Sequence, residues 1–256
     1  MKLIKLPFCF GFDHAPIQAP NAILSSIENF HLLKKTEPFD IVDAKISKYD
    51  ETNANRAIYA AVKKCKDKFI ALGGDHAITY SSYKAFSRNF KNAGIIIFDA
   101  HADVVPYKLS SPKPDNFISL LLDEGILKGR AVLIVGLRNF SDAEKEFISR
   151  TGINVHSSEA ITQVGLKKSL DIIIKFAKKF SALYLSLDLD VIDPAFAPGI
   201  DSPEIGGLDS RELIYLVQGI KRLGNLNGAD LVEVCPSKDV RNLTSLLCAK
   251  IVLELL

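Results

Sequence analysis

Short apolar runs alternate with segments of helical periodicity along almost the whole chain. The runs that predict strands cover residues 2–6, 68–72, 94–98, 131–135, 154–156, 182–187 and 229–235. The segments that predict helices cover residues 55–66, 80–89, 116–127, 142–150, 166–179, 210–223 and 243–255. Strands that are joined by crossover helices pair in parallel. The pattern therefore predicts an α/β fold, a three-layer α/β/α sandwich with a central, mostly parallel sheet.

Two stretches have the composition of a linker, residues 107–114 and 194–207. Neither separates two independent apolar cores, so we predict a single domain over residues 1–256. Both stretches come shortly after a predicted strand. Because loops at the carboxyl ends of parallel strands carry the substrate contacts of α/β enzymes, we expect both to rim an active site.

Three short clusters of acids and histidines follow predicted strands: Gly-Gly-Asp-His at 73–76, Asp-Ala-His-Ala-Asp at 99–103 and Asp-Leu-Asp at 188–190. On an extended backbone, side chains at alternate positions share a face, so the acids within each cluster should point the same way. The ends of parallel strands also converge on one crevice. The spacing therefore predicts that six side chains meet there: His76, Asp99, His101, Asp103, Asp188 and Asp190.

Four carboxylates in a partly dry cleft repel one another and cannot all stay ionised without cations. Two divalent ions would balance the charge of the four aspartates, and two imidazoles would complete a mixed nitrogen and oxygen shell. That shell favours manganese, with zinc, iron or cobalt as alternatives, and two histidines argue against calcium. The four cysteines are scattered, so we expect buried thiols rather than a structural zinc site or disulfides.

The chain has 256 residues, of which 48% are hydrophobic and 24% are charged, and its net charge is +2. This composition is typical of globular proteins. The lysines are spread along helical segments, which indicates solvated helix faces rather than a nucleic-acid-binding stripe. No apolar stretch is long enough to span a bilayer, and the first residues lack a signal-peptide pattern. We therefore expect a cytoplasmic protein with no nucleic-acid partner and no membrane contact.

The three clusters also carry a family resemblance. The third cluster belongs to a longer motif, Ser-Leu-Asp-Leu-Asp-Val-Ile-Asp-Pro at 186–194, which is followed by Ala-Pro-Gly at 197–199. Shorter stretches at residues 12–13, 19–23, 135–138, 202–208 and 232–236 match the same family. Together these motifs resemble the ureohydrolases, the arginase and agmatinase superfamily, over nearly the full chain. Three motifs in the family's order are far more specific than any one of them. The resemblance implies an arginase-like fold.

The resemblance further implies a binuclear centre with two Mn²⁺ per subunit. Two ligands would bridge the ions and two more would complete each ion: Asp99 and Asp188 at the bridge, His76 and Asp103 on one ion, and His101 and Asp190 on the other.

The resemblance implies a mechanism as well. A water between the ions would supply hydroxide near neutral pH, attack the guanidinium carbon and release an amine and urea. Asp103 would orient the hydroxide and take its proton. Glu233, near the end of an apolar run, would hold the planar guanidinium through paired hydrogen bonds. A structural salt bridge is the alternative role of Glu233.

One element of the family pattern is missing. Family enzymes that hydrolyse guanidines usually carry a His-Gly pair after the Asp-x-His-x-Asp cluster, where the histidine relays protons to the leaving amine. Here no histidine lies between Asp103 and His156. Loss of a general acid costs roughly a hundredfold in rate or more. Three explanations are open: His14 substitutes, the substrate's leaving group needs less protonation, or the protein binds metal with little turnover.

The substrate loops point away from arginase. The loop after Arg138 reads Asn-Phe-Ser-Asp and lacks the acidic pair that arginases place there, so the chain resembles agmatinases and guanidino-acid hydrolases more closely. Asp201 adds negative charge near the mouth, which suits a cationic substrate tail or a solvated loop acid. We predict manganese-dependent hydrolysis of a small, linear, agmatine-like guanidino substrate. The alternatives are hydrolysis of formimidoylglutamate or another C–N bond on the same centre, and a catalytically impaired metal-binding homologue. The resemblance also implies a homo-oligomer, a trimer or hexamer.

Overall fold

The computed structural model describes residues 1–10, 15–30, 39–46, 50–105 and 111–256. Within these residues eight strands form one sheet. The strands are β1 (Lys2–Lys5), β2 (Asp40–Asp43), β3 (Phe69–Leu72), β4 (Ala93–Phe98), β5 (Val132–Val135), β6 (Asn154–His156), β7 (Ala182–Asp188) and β8 (Leu226–Val232). The α-helices are α1 (Ala19–Ile27), α2 (Glu51–Lys63), α3 (Ile78–Asn89), α4 (Phe117–Asp123), α5 (Asp142–Thr151), α6 (Ser158–Val164), α7 (Leu166–Ala177), α8 (Ser210–Lys221) and α9 (Leu243–Leu255).

The described strands lie in the order β2-β1-β3-β8-β7-β4-β5-β6, and every pairing between neighbours is parallel. The predicted α/β fold is therefore confirmed, with a sheet that is wholly rather than mostly parallel in the part of the chain described. All seven predicted strands are present at or near their predicted positions.

Three elements were not predicted. Strand β2 lies at the sheet edge, has an aspartate at each end and leaves Ile41 54% exposed, so its sequence lacks the apolar run of a buried strand. It is a strand because it pairs along β1, a long-range contact that local sequence does not encode. Helix α1 has a proline in its first turn, and the short helix α6 begins after a Ser157 side chain that caps it.

Several helix boundaries differ from the prediction by two to four residues, and two of these differences follow from capping. Helix α2 begins at Glu51 rather than residue 55, because the Asp50 side chain accepts a hydrogen bond from the backbone N–H of Asn53 at 3.0 Å. Helix α4 ends at Asp123 rather than residue 127, because Gly125 takes a left-handed φ of +67° just beyond it.

The residues of β4 alternate between two apolar layers. Ile95 and Ile97 belong to the layer covered by α2, α3 and α4, whereas Ile96 and Phe98 belong to the layer covered by α1, α7, α8 and α9. All four side chains are fully buried, and burying one such side chain contributes about 1.5–3 kcal/mol. The sheet is thus the middle layer of a three-layer sandwich.

The four central strands are β3, β8, β7 and β4, so their carboxyl ends lie side by side. The three predicted clusters follow β3, β4 and β7, and Glu233 follows β8. The fold therefore gathers these residues at one edge of the sheet. Among the described residues, every helix is too short or too polar to traverse a bilayer.

Candidate metal centre and active-site cleft

His76 lies in the turn between β3 and α3, and three carboxylates from other parts of the chain surround its imidazole. Its Nδ1 is 3.2 Å from Asp99 Oδ2, 2.9 Å from Asp103 Oδ2 and 3.1 Å from Asp188 Oδ2. The histidine is fully buried, and the ring of Phe117 packs on its imidazole with the centroids 4.5 Å apart. One histidine nitrogen therefore faces oxygens from the ends of two neighbouring strands, β4 and β7.

His101 forms a second group beside the first. Its Nδ1 lies 2.7 Å from Asp190 Oδ2 and 3.7 Å from Asp99 Oδ1, and its Nε2 lies 3.4 Å from Glu204 Oε1. Asp99 presents one oxygen to His76 and the other to His101, so the two groups adjoin through this aspartate. The structure thus brings all six predicted ligands together, in two groups that share Asp99.

The acids do not converge in the way that strand alternation suggested. Strand β4 ends at Phe98, residues 99–105 form an irregular loop, and Asp103 has a left-handed φ of +53°. Asp190 lies in a 3₁₀ turn after β7, where its N–H donates to Asp188 Oδ1 at 2.9 Å. The expectation of a shared strand face is wrong. Tight turns at the ends of two paired strands bring these side chains together.

Burial and crowding disfavour charge on this cluster. Burial, with repulsion from Asp103 and Asp190, raises the pKa of Asp99 well above its usual range. Burial raises the pKa of Asp103 to about 6, and burial with repulsion from Asp190 and Asp99 raises the pKa of Asp188 well above its usual range. Burial also opposes ionisation of Asp190. Its hydrogen bond and charge attraction with His101, the backbone N–H of Ala100 and the charge of His76 together outweigh burial and lower its pKa. Without cations, the cluster retains protons at pH values where isolated aspartates are ionised.

Two buried atoms of this cluster, His76 Nδ1 and Asp99 Oδ2, make no hydrogen bond of acceptable geometry within the described residues, although they lie 3.2 Å apart. Buried polar atoms without partners are costly, so a native structure normally supplies one. A cation accepts lone pairs from an imidazole nitrogen and a carboxylate oxygen at once. The residues present therefore fit a binuclear metal centre, with Asp99 between its two halves.

A buried network holds the other side of His76. Its Nε2 is 3.0 Å from Ser186 Oγ, and that hydroxyl donates to Asp230 Oδ1 at 2.6 Å. Asp230 Oδ2 accepts two further hydroxyl bonds, from Thr79 at 2.8 Å and Tyr184 at 2.7 Å. Because the Ser186 proton goes to Asp230, the serine oxygen accepts the proton of His76 Nε2. That assignment leaves a lone pair on Nδ1, on the side of the three carboxylates.

Neither Ser186 nor Asp230 was predicted as a site residue. Asp230 did carry a signal, since it is an acid inside the apolar run 229–235, and acids are rarely fully buried unless they are paired. Ser186 carries no such signal in the sequence, because a serine in a buried strand is common.

We expect Ser186→Ala to weaken manganese binding by about 10- to 100-fold, the usual effect of removing a group that orients a metal ligand. The variant removes the acceptor of the His76 Nε2 proton, so the imidazole loses its fixed tautomer and orientation. Isothermal titration of the metal-free protein with Mn²⁺ measures the change.

Thr79→Val is the matched control. It removes another hydroxyl bond to Asp230 but leaves the contact between Ser186 and His76 intact. Equal loss of manganese affinity in both variants would contradict a specific orienting role for Ser186.

Glu233 follows β8 beside the cluster. Its Oε1 accepts the backbone N–H of His76 at 2.6 Å, and its own N–H donates to Gly74 O at 2.8 Å. Burial raises the pKa of this carboxyl well above its usual range. Its backbone φ is +63°, in the left-handed region that costs a non-glycine residue about 1–3 kcal/mol. The two predicted catalytic acids, Asp103 and Glu233, are therefore both held in strained backbone, as is common at functional sites.

Gly74 allows the chain to approach closely behind the cluster. A Cβ at this position would lie 1.9 Å from Phe8 O, so no other residue fits without backbone movement. The neighbouring Asp75 donates its N–H to Phe8 O at 3.1 Å, and its carboxylate accepts the N–H groups of Phe10 and Ala77. These bonds fix the segment after β1 against the site.

The two metal-ligand groups lie on the floor of a cavity of about 740 Å³. Both linker-like stretches contribute to its wall, as expected, through Lys113 and Pro114 and through Asp201 and Ser202. Six carboxylates outside the two groups also line it: Glu51, Asp75, Asp115, Glu144, Asp201 and Glu233. The cavity wall is therefore predominantly acidic.

The predicted catalytic residue His14 lies outside the described residues, as do residues 106–110. Its role stays a prediction. His156 lies on β6, away from the cleft, and its Nε2 is 2.9 Å from Ser169 Oγ.

Residues 11–256 match the Arginase family. A guanidinopropionase from Pseudomonas aeruginosa is 31% identical over 96% of this chain and 80% of that protein. A formimidoylglutamase from Halalkalibacterium halodurans is 35% identical over 73% of this chain and 60% of that protein, so the match spans less than two thirds of that relative. The crystal structure of formimidoylglutamase from Bacillus subtilis superposes with a TM-score of 0.91 at 27% identity, over 99% of this chain and 85% of that chain.

The chain therefore belongs to the Arginase family, and the predicted ureohydrolase resemblance is confirmed. It is a hydrolase of non-peptide C–N bonds in linear amidines. Enzymes of the family use a binuclear metal centre, and the two adjoining groups around His76 and His101 fit one.

Proposed function

We propose that this protein hydrolyses a small, linear guanidino compound with a cationic tail, agmatine-like, to urea and an amine, with two Mn²⁺ per subunit. The observation that carries this proposal is the pair of histidine and aspartate groups joined through Asp99, on the floor of an acidic cavity beside Glu233.

Six residues would hold the ions: His76, Asp99, His101, Asp103, Asp188 and Asp190. Their mixed nitrogen and oxygen donors, with no cysteine among them, support manganese over zinc. The chemistry that such ions supply is a water nucleophile near neutral pH and positive charge beside the developing oxyanion.

The remaining steps belong to the protein's own side chains. Glu233 would accept paired hydrogen bonds from the guanidinium and hold its carbon over the floor of the cavity. Asp103, whose pKa burial raises to about 6, would orient the attacking water and take its proton. The fixed backbone at both acids supports this assignment, because positioning is worth most where side chains cannot drift.

The acidic wall supports a cationic tail. Glu51, Glu144 and Asp201 line the cavity. Among the lining residues that the structure describes, Lys113 is the one lysine, and no arginine is present. A surplus of carboxylates favours a second positive charge at the far end of the substrate. Lys113 supports the runner-up, an acidic substrate such as formimidoylglutamate, and two of the relatives bear the name formimidoylglutamase.

A substrate panel tests the proposal. The manganese-loaded protein is assayed with agmatine, arginine, 3-guanidinopropionate and formimidoylglutamate, and urea and formamide are measured separately, because a formimidoyl group is released as formamide. We expect urea from agmatine at a kcat/KM at least about tenfold above that for arginine, since the loops lack the arginase acidic pair. Formamide from formimidoylglutamate, without urea from any guanidine, would favour the runner-up, and no product with both metals bound would favour an impaired homologue.

Assembly as a trimer or hexamer and a cytoplasmic location also remain proposals. Light scattering of the purified protein tests the first, and cell fractionation tests the second.

A further inference from the structure

We propose that Asp115 is a further catalytic residue, which donates a proton to the nitrogen that leaves when the guanidinium is hydrolysed. This role rests on the proposed function. It is the proton-donor role for which the sequence suggested His14.

Two contacts hold Asp115 in the wall of the cavity that contains the metal-ligand groups. Its backbone oxygen accepts the N–H of Val105 at 2.9 Å, two residues beyond Asp103. Two residues further along, the ring of Phe117 packs on the imidazole of His76. Asp115 lies between these anchors and lines the same cavity as Asp103 and His76. The segment that begins at residue 111 therefore brings Asp115 to the cavity wall.

The carboxyl of Asp115 differs from the other acids of the wall. Its Oδ1 is buried and has no hydrogen-bond partner within the described residues. The other five wall carboxylates outside the two metal-ligand groups each accept a hydrogen bond or ion pair: Glu51 from Ser111, Asp75 from Phe10 and Ala77, Glu144 from Ser141, Asp201 from Lys238, and Glu233 from His76. A buried carboxylate oxygen without a donor is most costly when ionised, so the carboxyl of Asp115 is suited to carry a proton.

The charges around Asp115 act in both directions. Burial raises the pKa of its carboxyl, its own backbone N–H and Lys113 oppose that rise, and Glu144 on α5 adds to it. The net shift is upward. Bound cations lower the pKa of carboxyls near them, so the measurement is made on the metal-loaded protein.

The reaction needs such a donor. Hydrolysis joins the water oxygen to the guanidinium carbon and breaks the bond from that carbon to the alkyl nitrogen. The electron pair of the broken bond stays on the nitrogen, which must gain a proton to leave as an amine. Both protons of the added water finish on this nitrogen, so no further reactant is required. Asp115 would deliver the first proton and recover one released by the water.

The test compares kcat against pH for the manganese-loaded wild type, Asp115→Asn and a control, Asp123→Asn. Asp123 is an exposed acid at the end of α4, on the same stretch of chain. We expect Asp115→Asn to lower kcat by about a hundredfold or more and to remove the alkaline limb of the profile, with metal content and KM little changed. The loss should shrink for guanidines whose leaving amine is weakly basic, because such amines need less protonation. The control should match the wild type.

A second measurement does not depend on turnover. Infrared difference spectra between the metal-loaded wild type and Asp115→Asn should contain the band of a protonated carboxyl at neutral pH, converting to carboxylate as pH rises. An Asp115 carboxyl that is ionised throughout this range would overturn the proposal, as would an unchanged alkaline limb in Asp115→Asn. Loss of that limb in His14→Ala alone would assign the proton to His14 and overturn it too. If the wild type hydrolyses no guanidine at all, the proposed function itself fails, and this role fails with it.

Discussion

Replacing Asp99 with asparagine should lower hydrolysis by about a thousandfold or more, because this aspartate is the residue shared by both metal-ligand groups. Its two oxygens face His76 and His101 respectively. An amide offers one neutral oxygen in place of two charged ones, so both halves of the centre lose a ligand. Manganese content by elemental analysis should fall from two ions per subunit to one or fewer.

The same variant should behave in the opposite way without metal. The pKa of Asp99 is raised in the folded protein, so folding binds a proton that the unfolded chain releases, and metal-free stability falls as pH rises above the carboxyl's usual pKa. Asparagine removes this cost. At mildly alkaline pH, metal-free Asp99→Asn should therefore melt above the metal-free wild type, whereas added manganese should raise the Tm of the wild type by more than that of the variant. The exposed Asp171 on α7 supplies the control, Asp171→Asn, which should leave activity and both melting temperatures unchanged. Full manganese binding by Asp99→Asn would contradict the shared-ligand assignment.

Glu233→Gln should reduce kcat/KM for the preferred guanidine by about 100- to 1000-fold. The change keeps the size of the side chain but removes the charge that would pair with the guanidinium, and charge-assisted hydrogen bonds contribute about 1.5–3 kcal/mol each. The amide oxygen can still accept the His76 N–H that Glu233 Oε1 accepts now, so the cluster behind it should keep its shape. Steady-state kinetics, with manganese titrations alongside, separate these effects.

Glu146→Gln is the matched control for this prediction, because Glu146 is an exposed glutamate on α5. It should retain the activity of the wild type. If Glu233→Gln instead lost manganese affinity and kept its kcat/KM once saturated with metal, Glu233 would have the structural role that its sequence position also allowed.

The sequence predicts the sheet well because buried strands of a parallel sheet are continuous apolar runs. Residues 94–98 illustrate this, since all five are buried and the side chains of residues 95–98 pack alternately into the apolar layers on the two faces of the sheet. The edge strand β2 has no such run, and only its pairing with β1 makes it a strand. Helix ends depend on single capping residues such as Asp50, which periodicity does not register.

The candidate site was predictable to the level of which residues meet, but not how. Clusters at the ends of apolar runs identify strand ends, and the fold brings strand ends together. The left-handed backbone of Asp103 and the 3₁₀ turn at Asp190 are set by tertiary contacts, so strand alternation misplaced both residues. The support of His76 by Ser186 and Asp230 crosses three strands and is invisible in any local pattern.

The last strand of the chain, β8, occupies the middle of the sheet between β3 and β7. Before it is inserted, His76 belongs to one half of the sheet and Asp99 and Asp188 belong to the other, with no backbone ladder joining them. A nascent chain on the ribosome therefore cannot assemble the centre until nearly all of its residues have emerged. Metal uptake would then mark the end of folding, and a chain truncated before β8 would be released as two unjoined half-sheets with exposed strand edges, prone to aggregate.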